Sequence, residues 1–245
     1  MRASRRGLRM GTIAVAAFLI ILIARFPAPW AAGLLPRGVS CEQLDGTLWS
    51  GACSGLAAER TTLGDLSWSL HPLALLTGRL DVDASLARPD GTASGRVQLS
   101  PSGVLAARDV HANLLLDHAL LAQLSPGTHA HLEADLASLR WDGKRITQLQ
   151  GQMALHGLTD DQSAPLGDFR LVFPASAGDP VGQLTDLGGP LAVQGTVRLT
   201  GEPGYVVDGL VAARPGASAS MVQQLRYLGT PDAQGRRPFS FAGTF

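Results

Sequence analysis

The side chains best suited to chemistry are six histidines and a few close carboxylates. His129 and His131 stand two apart, so on an extended strand they share a face with Glu133. Two imidazoles and a carboxylate could together hold a metal ion, but a solvated strand gives the same spacing and is the plainer expectation. Asp81 with Asp83, and Asp160 with Asp161, can be written as acid–base pairs; one pair lies in an alternating stretch and the other in a turn, where solvated faces are expected. His111 and His118 are expected at the surface. The chain contains no Gly-x-Ser-x-Gly elbow, no Gly-x-x-x-x-Gly-Lys loop and no His-Glu-x-x-His. No residue is therefore assigned to catalysis, to a cofactor or to a metal. The lone Lys144 beside many arginines reads as a coding preference.

Cys41 and Cys53 are the only cysteines. Between them Asp45-Gly46 is a strong two-residue hairpin signal, which would fold residues 39–44 against 47–52 and set Cys41 opposite Ser50. A Cys41–Cys53 disulfide then needs a bulge or some slippage of the register, and two small buried thiols are the alternative. Without Cys-x-x-Cys or a second ligand pair, zinc is not expected.

Charge separates the chain into two parts. Six arginines and no acid occur up to Arg37, whereas 14 basic and 20 acidic residues follow it. A body with an acidic surplus is a poor match for phosphate neutralisation, so nucleic-acid binding is not expected. Arg2, Arg5, Arg6 and Arg9 precede the 15 uncharged residues 10–24. As a helix these cover about 22 Å of a ~30 Å hydrocarbon core; beyond Arg25, which can snorkel, the apolar stretch resumes with Trp30 suited to the interface. The expectation is an uncleaved single-pass anchor over residues 10–32, with residues 1–9 cytoplasmic and 38–245 forming a domain across the membrane, a space that in a Gram-negative cell is the periplasm.

The elements that would carry these side chains are mostly strands. Residues 80–86, 96–99, 191–194 and 197–200 alternate apolar and polar, and turn signals such as Pro89-Asp90-Gly91, Asp142-Gly143 and Arg214-Pro215-Gly216 recur between them. Helical spacing is confined to 114–124, 220–228 and a short turn at 71–78. An echo between 148–157 and 192–201 suits stacked hairpins in one continuing sheet. The expected fold is mainly β: a single N-terminal transmembrane helix followed by a curled, mostly antiparallel meander with a few short helices.

At Gly46-Thr47-Leu48-Trp49-Ser50-Gly51 the sequence resembles the type II secretion system protein N family of the general secretion pathway. The likeness continues through Leu63-Gly64-Asp65-Leu66-Ser67-Trp68-Ser69-Leu70-His71-Pro72 and on to Gly78, and more weakly to Leu225-Arg226-Tyr227-Leu228-Gly229. It implies a non-enzymatic inner-membrane accessory subunit that supports export of folded exoproteins from the periplasm across the outer membrane by protein–protein interaction. Implied partners are inner-membrane bitopic subunits and the outer-membrane secretin. Trp49 and Trp68 are expected to fill the sheet's buried face, with Gly46 permitting a tight turn and Gly51 relieving crowding. Residues 75–82 also resemble, more faintly, envelope proteins of the AsmA type, whose open β groove handles lipid. That likeness implies an apolar groove that binds or transfers lipid.

Overall fold

The computed structural model describes residues 25–29, 38–58, 61–117, 127–176, 178–201 and 204–244. Their strands are β1 Val39–Ser40, β2 Gln43–Gly46, β3 Ser50–Ala58, β4 Thr61–Leu70, β5 Leu80–Arg88, β6 Gly91–Leu99, β7 Leu105–Leu116, β8 Ala130–Trp141, β9 Ile146–Thr159, β10 Pro165–Phe173, β11 Val181–Gly188, β12 Leu191–Leu199, β13 Gly204–Ala213 and β14 Arg237–Thr244. Two short helices, α1 Pro72–Leu75 and α2 Ala219–Leu225, sit in connections. From β3 to β14 each strand pairs antiparallel with the next, while β1 and β2 share the outer edge of β3.

Directly opposed residues of antiparallel strands point to the same face. One row of opposed residues crosses the whole sheet: Leu44, Cys53, Leu66, Leu86, Ala93, Ala112, Ala134, Met153, Leu171, Leu184, Gly195, Gly209 and Phe239. Every member is apolar, and none is fully exposed. One position along, the row Ser67, Ser85, Ser94, His111, Asp135, Gln152 is exposed throughout. The two-residue period thus becomes two chemically opposite faces, and a one-residue slip at any hairpin would put the polar row on the apolar side.

A single sheet of this width has no second layer to cover its apolar face, so it covers that face by curling. Leu149 of β9, Phe173 of β10, Val197 of β12 and Val207 of β13 form a buried cluster, with Leu136, Met153 and Phe239 packed against it. Leu105, Leu139, Trp141 and Ile146 from β7–β9 face Leu199 and Gly204 across a cavity of about 410 Å³.

Three expectations are corrected here. Among the described residues no helix is long and apolar enough to cross a membrane. The expected fold class, with its transmembrane helix, therefore becomes a mainly β chain built on one large antiparallel sheet. Most of segment 10–32 lies outside the described residues, as do residues 1–9, but residues 25–29 run alongside the first hairpin. Pro27 bridges Thr47, the Leu48 N–H donates to the Phe26 carbonyl at 3.0 Å, and Ala28 is only 2% exposed. Pro27 and Pro29 lack the N–H that a helix needs there. The helix expected from residue 114 is also displaced, because Leu114, Leu115 and Leu116 complete β7 opposite Leu132, His131 and Ala130. Pairing with β8 overrides leucine's helical preference; residues 118–126, including His118, lie outside the described residues. The third correction concerns the first hairpin, whose turn is not at Asp45-Gly46.

Candidate functional site

In the first hairpin Asp45 faces Ala52 and Gly46 faces Gly51, so the turn is made by residues 47–50. The Thr47 N–H donates to the Ser50 carbonyl at 2.9 Å and the Ser50 N–H to Thr47 Oγ1 at 3.2 Å. This side-chain closure at Thr47 outcompetes the Asp-Gly signal. Gly46 has φ +93°, and a Cβ there would stand 2.5 Å from the Ser50 carbonyl oxygen. A Cβ on Gly51 would meet the Trp68 ring and stand 2.6 Å from the Asp45 carbonyl oxygen. The indole of Trp68 therefore lies over Gly51, and its Nε1–H donates to the Leu48 carbonyl at 3.1 Å. Trp49 accepts from the Leu70 N–H at 2.6 Å through its carbonyl. The hexapeptide is thus the junction where β2, β3, β4 and the segment 25–29 are fastened together.

The shifted register also positions the cysteines. The break between β1 and β2 at Cys41 and Glu42 lies near Gly55, which has φ +66°. Cys41 and Cys53 have Cα atoms 5.8 Å apart and form a disulfide. Cys53 is 3% exposed and stands on the apolar row.

Beside this junction, on the polar face, lies a ladder of charge. The Pro89-Asp90 turn pairs Arg88 with Gly91 and so sets Asp83 opposite Arg96 and Asp81 opposite Gln98. Arg96 Nε donates to Asp83 Oδ1 at 2.7 Å, and His71 Nε2 stands 2.7 Å from Asp83 Oδ2. The Arg96 hydrogen bond, followed by that of His71, holds the Asp83 carboxyl below its usual range. Gln98 donates to Asp81 Oδ2 at 2.8 Å, while Asp81 Oδ1 is buried without a hydrogen-bond partner and stands 3.9 Å from Arg96 Nε. Ser50, Ser69, Ser94, Arg96 and Asp109 line an open groove of about 570 Å³ above this ladder. Pro72 opens α1 directly after His71.

The other candidate side chains are dispersed. His131 opposes His156, which stands 3.9 Å from Glu133 and 3.6 Å from Asp168. His129 turns instead to Thr159 Oγ1 at 3.1 Å. Among the described residues no three His, Cys, Asp or Glu side chains are placed to share a metal ion. His111 pairs with Asp135 at 2.7 Å across exposed strands. Asp160 Oδ1 accepts N–H bonds from Gln162 and Ala164 and so closes a turn. Sequence reasoning missed Arg96 as the partner of Asp83 and His71, although the Pro89-Asp90 turn fixes that pairing.

A family model described as type II secretion system (T2SS), protein N, matches residues 37–240. This chain belongs to that family. Within the type II secretion system protein N family, the protein N of Vibrio cholerae serotype O1 (strain ATCC 39315 / El Tor Inaba N16961) is 28% identical over 261 residues, covering 99% of this chain and 98% of its own. The type II secretion system protein N of Aeromonas hydrophila is 27% identical over 238 residues, covering 93% and 94% respectively. No solved structure gives a significant match. The family match spans the junction at 46–51, Trp68, His71 and the charge ladder.

Proposed function

We propose that the chain is a non-enzymatic accessory subunit of the type II secretion apparatus, acting at the periplasmic side of the inner membrane and supporting exoprotein export by binding other subunits. The observation that carries this reading is the asymmetry of the sheet's two edges. At one edge β1 and β2 are two and four residues long, interrupted, and tied down by the disulfide. At the other, the eight-residue β14 pairs with β13 alone among the described residues. Unpaired backbone along an edge strand is a template for a strand from another chain. Phe241 on β14 is 53% exposed, stacks on Phe239 at 6.2 Å between centroids and meets Tyr205 edge-on at 6.3 Å. Arg237, the only charge on β14, is drawn off the strand by bonds from its Nη1 to the Leu228 and Gly229 carbonyls. The inner-membrane bitopic subunits and the outer-membrane secretin are the proposed partners. Deleting the gene is expected to leave exoproteins in the periplasm while general export continues. Unaltered secretion would refute the role.

A second reading is supported by the unbroken apolar row and the cavity between β7–β9 and β12–β13: the curled face holds acyl chains. Native mass spectrometry of the purified chain would then detect co-purifying lipid, and a lipid-free preparation would count against it.

A further inference from the structure

The connection between β4 and β5 is unusual for how much apolar surface it exposes. α1 and the residue after it present Leu73 at 77% exposure and Leu76 at 84%, although a loop joining two strands needs no leucine at either place. Leu75 is also exposed, and Thr77 Oγ1 closes the turn onto the Ala74 carbonyl at 2.8 Å, so the leucines are held on a folded turn. The position of this knob says what could cover it. Phe26 bonds Leu48, Trp49 bonds Leu70, and α1 begins two residues later, so Phe26, close to the point where the preceding chain joins, lies at the same end of the sheet as the knob. That preceding chain contains the 15 uncharged, mostly apolar residues 10–24 behind four arginines, a composition that favours lipid.

The electrostatics agree. The neighbouring turns at 47–50 and 100–104 carry no charge, and Arg79 follows the knob. From this placement we infer that Leu73 and Leu76 insert into the membrane interface and set the sheet upright on the bilayer, with the junction at 46–51 nearest the lipid. This rests on the membrane-side location proposed above.

The test uses the full chain reconstituted in phosphatidylethanolamine/phosphatidylglycerol vesicles. A polarity-sensitive fluorophore is placed at Leu73→Cys or Leu76→Cys, and at Tyr227→Cys, which is 85% exposed in the β13–β14 connection. The native cysteines are paired with each other and do not compete for label. The labels at 73 and 76 are expected to shift to the blue and to be quenched by nitroxide lipids, while that at 227 stays aqueous. Vesicle-bound protein with labels at 73 and 76 as aqueous as at 227 overturns the inference and leaves the secretion role standing. Shielding of the knob only when other secretion subunits are added also overturns it, by assigning the surface to a protein partner. Protein that does not stay with the vesicles contradicts the membrane-side location itself.

Discussion

Replacing Gly51 by alanine tests whether the 46–51 junction is built as described. A Cβ at Gly51 meets the Trp68 ring on one side and backbone, the Asp45 carbonyl oxygen at 2.6 Å, on the other. The ring could swing away, but the backbone could not without opening the β2–β3 ladder. Overpacking of this kind costs typically about 1–3 kcal/mol. Moving the indole also loses the Trp68 Nε1 bond to the Leu48 carbonyl, worth about 1 kcal/mol. Gly51→Ala should thus destabilise the chain by about 2–4 kcal/mol. Urea unfolding followed by tryptophan fluorescence reads this as a lower midpoint at unchanged slope. Gly201→Ala, at a position with nothing within 4 Å of the added carbon, should stay within about 0.5 kcal/mol of the parent. In a Trp68→Leu background the Gly51→Ala cost should shrink by about 1 kcal/mol, since neighbouring substitutions couple. A Gly51→Ala protein as stable as its parent, or one whose loss is the same with and without Trp68, would refute this packing.

Two further outcomes follow from the same region. Because the disulfide closes a short loop, with 12 positions separating its cysteines, its loss in Cys41→Ser/Cys53→Ser should cost about 3 kcal/mol, and reductant should shift the parent's unfolding midpoint but not the variant's. Arg96 and His71 depress the Asp83 carboxyl in the folded chain, so that carboxylate contributes stability above its unfolded pKa of about 3.9, and the contribution is lost as pH falls through the lower folded value. Asp83→Asn should therefore lose stability at neutral pH and show a flatter acid limb below about pH 4 than the parent; an acid limb of unchanged steepness would mean that the ladder is not formed in solution.

How far the sequence carries can be judged element by element. The alternation in 80–86 and 191–200 marks β5 and β12, and Pro89-Asp90 sets the β5–β6 register that opposes Asp83 to Arg96. Helical spacing at 220–228 finds α2, whose N-cap Ser218 accepts from the Met221 N–H at 3.2 Å. What fails is the competition between signals of similar strength. Asp45-Gly46 is a better two-residue turn by local preference, yet the Thr47 hydroxyl and the packing of Trp68 on Gly51 move the turn along by three residues. Leucines 114–116 have helical spacing, yet the edge of β8 is available to them. Pairings between distant strands, which align the apolar row from Leu44 to Phe239, depend on every hairpin register together and so are not readable from any one segment. The edge at β14 is likewise a property of the assembled sheet.

The proposed mode of action rests on β14 receiving another subunit. A photoreactive residue replacing Ser240 or Ala242 on that edge, compared with one replacing Ser85 in the middle of the sheet, tests this in secreting cells. Adducts with a second secretion subunit from positions 240 and 242 but not from 85 are expected. Adducts confined to position 85, or none from the edge while exoproteins are still released, would contradict recognition through this strand.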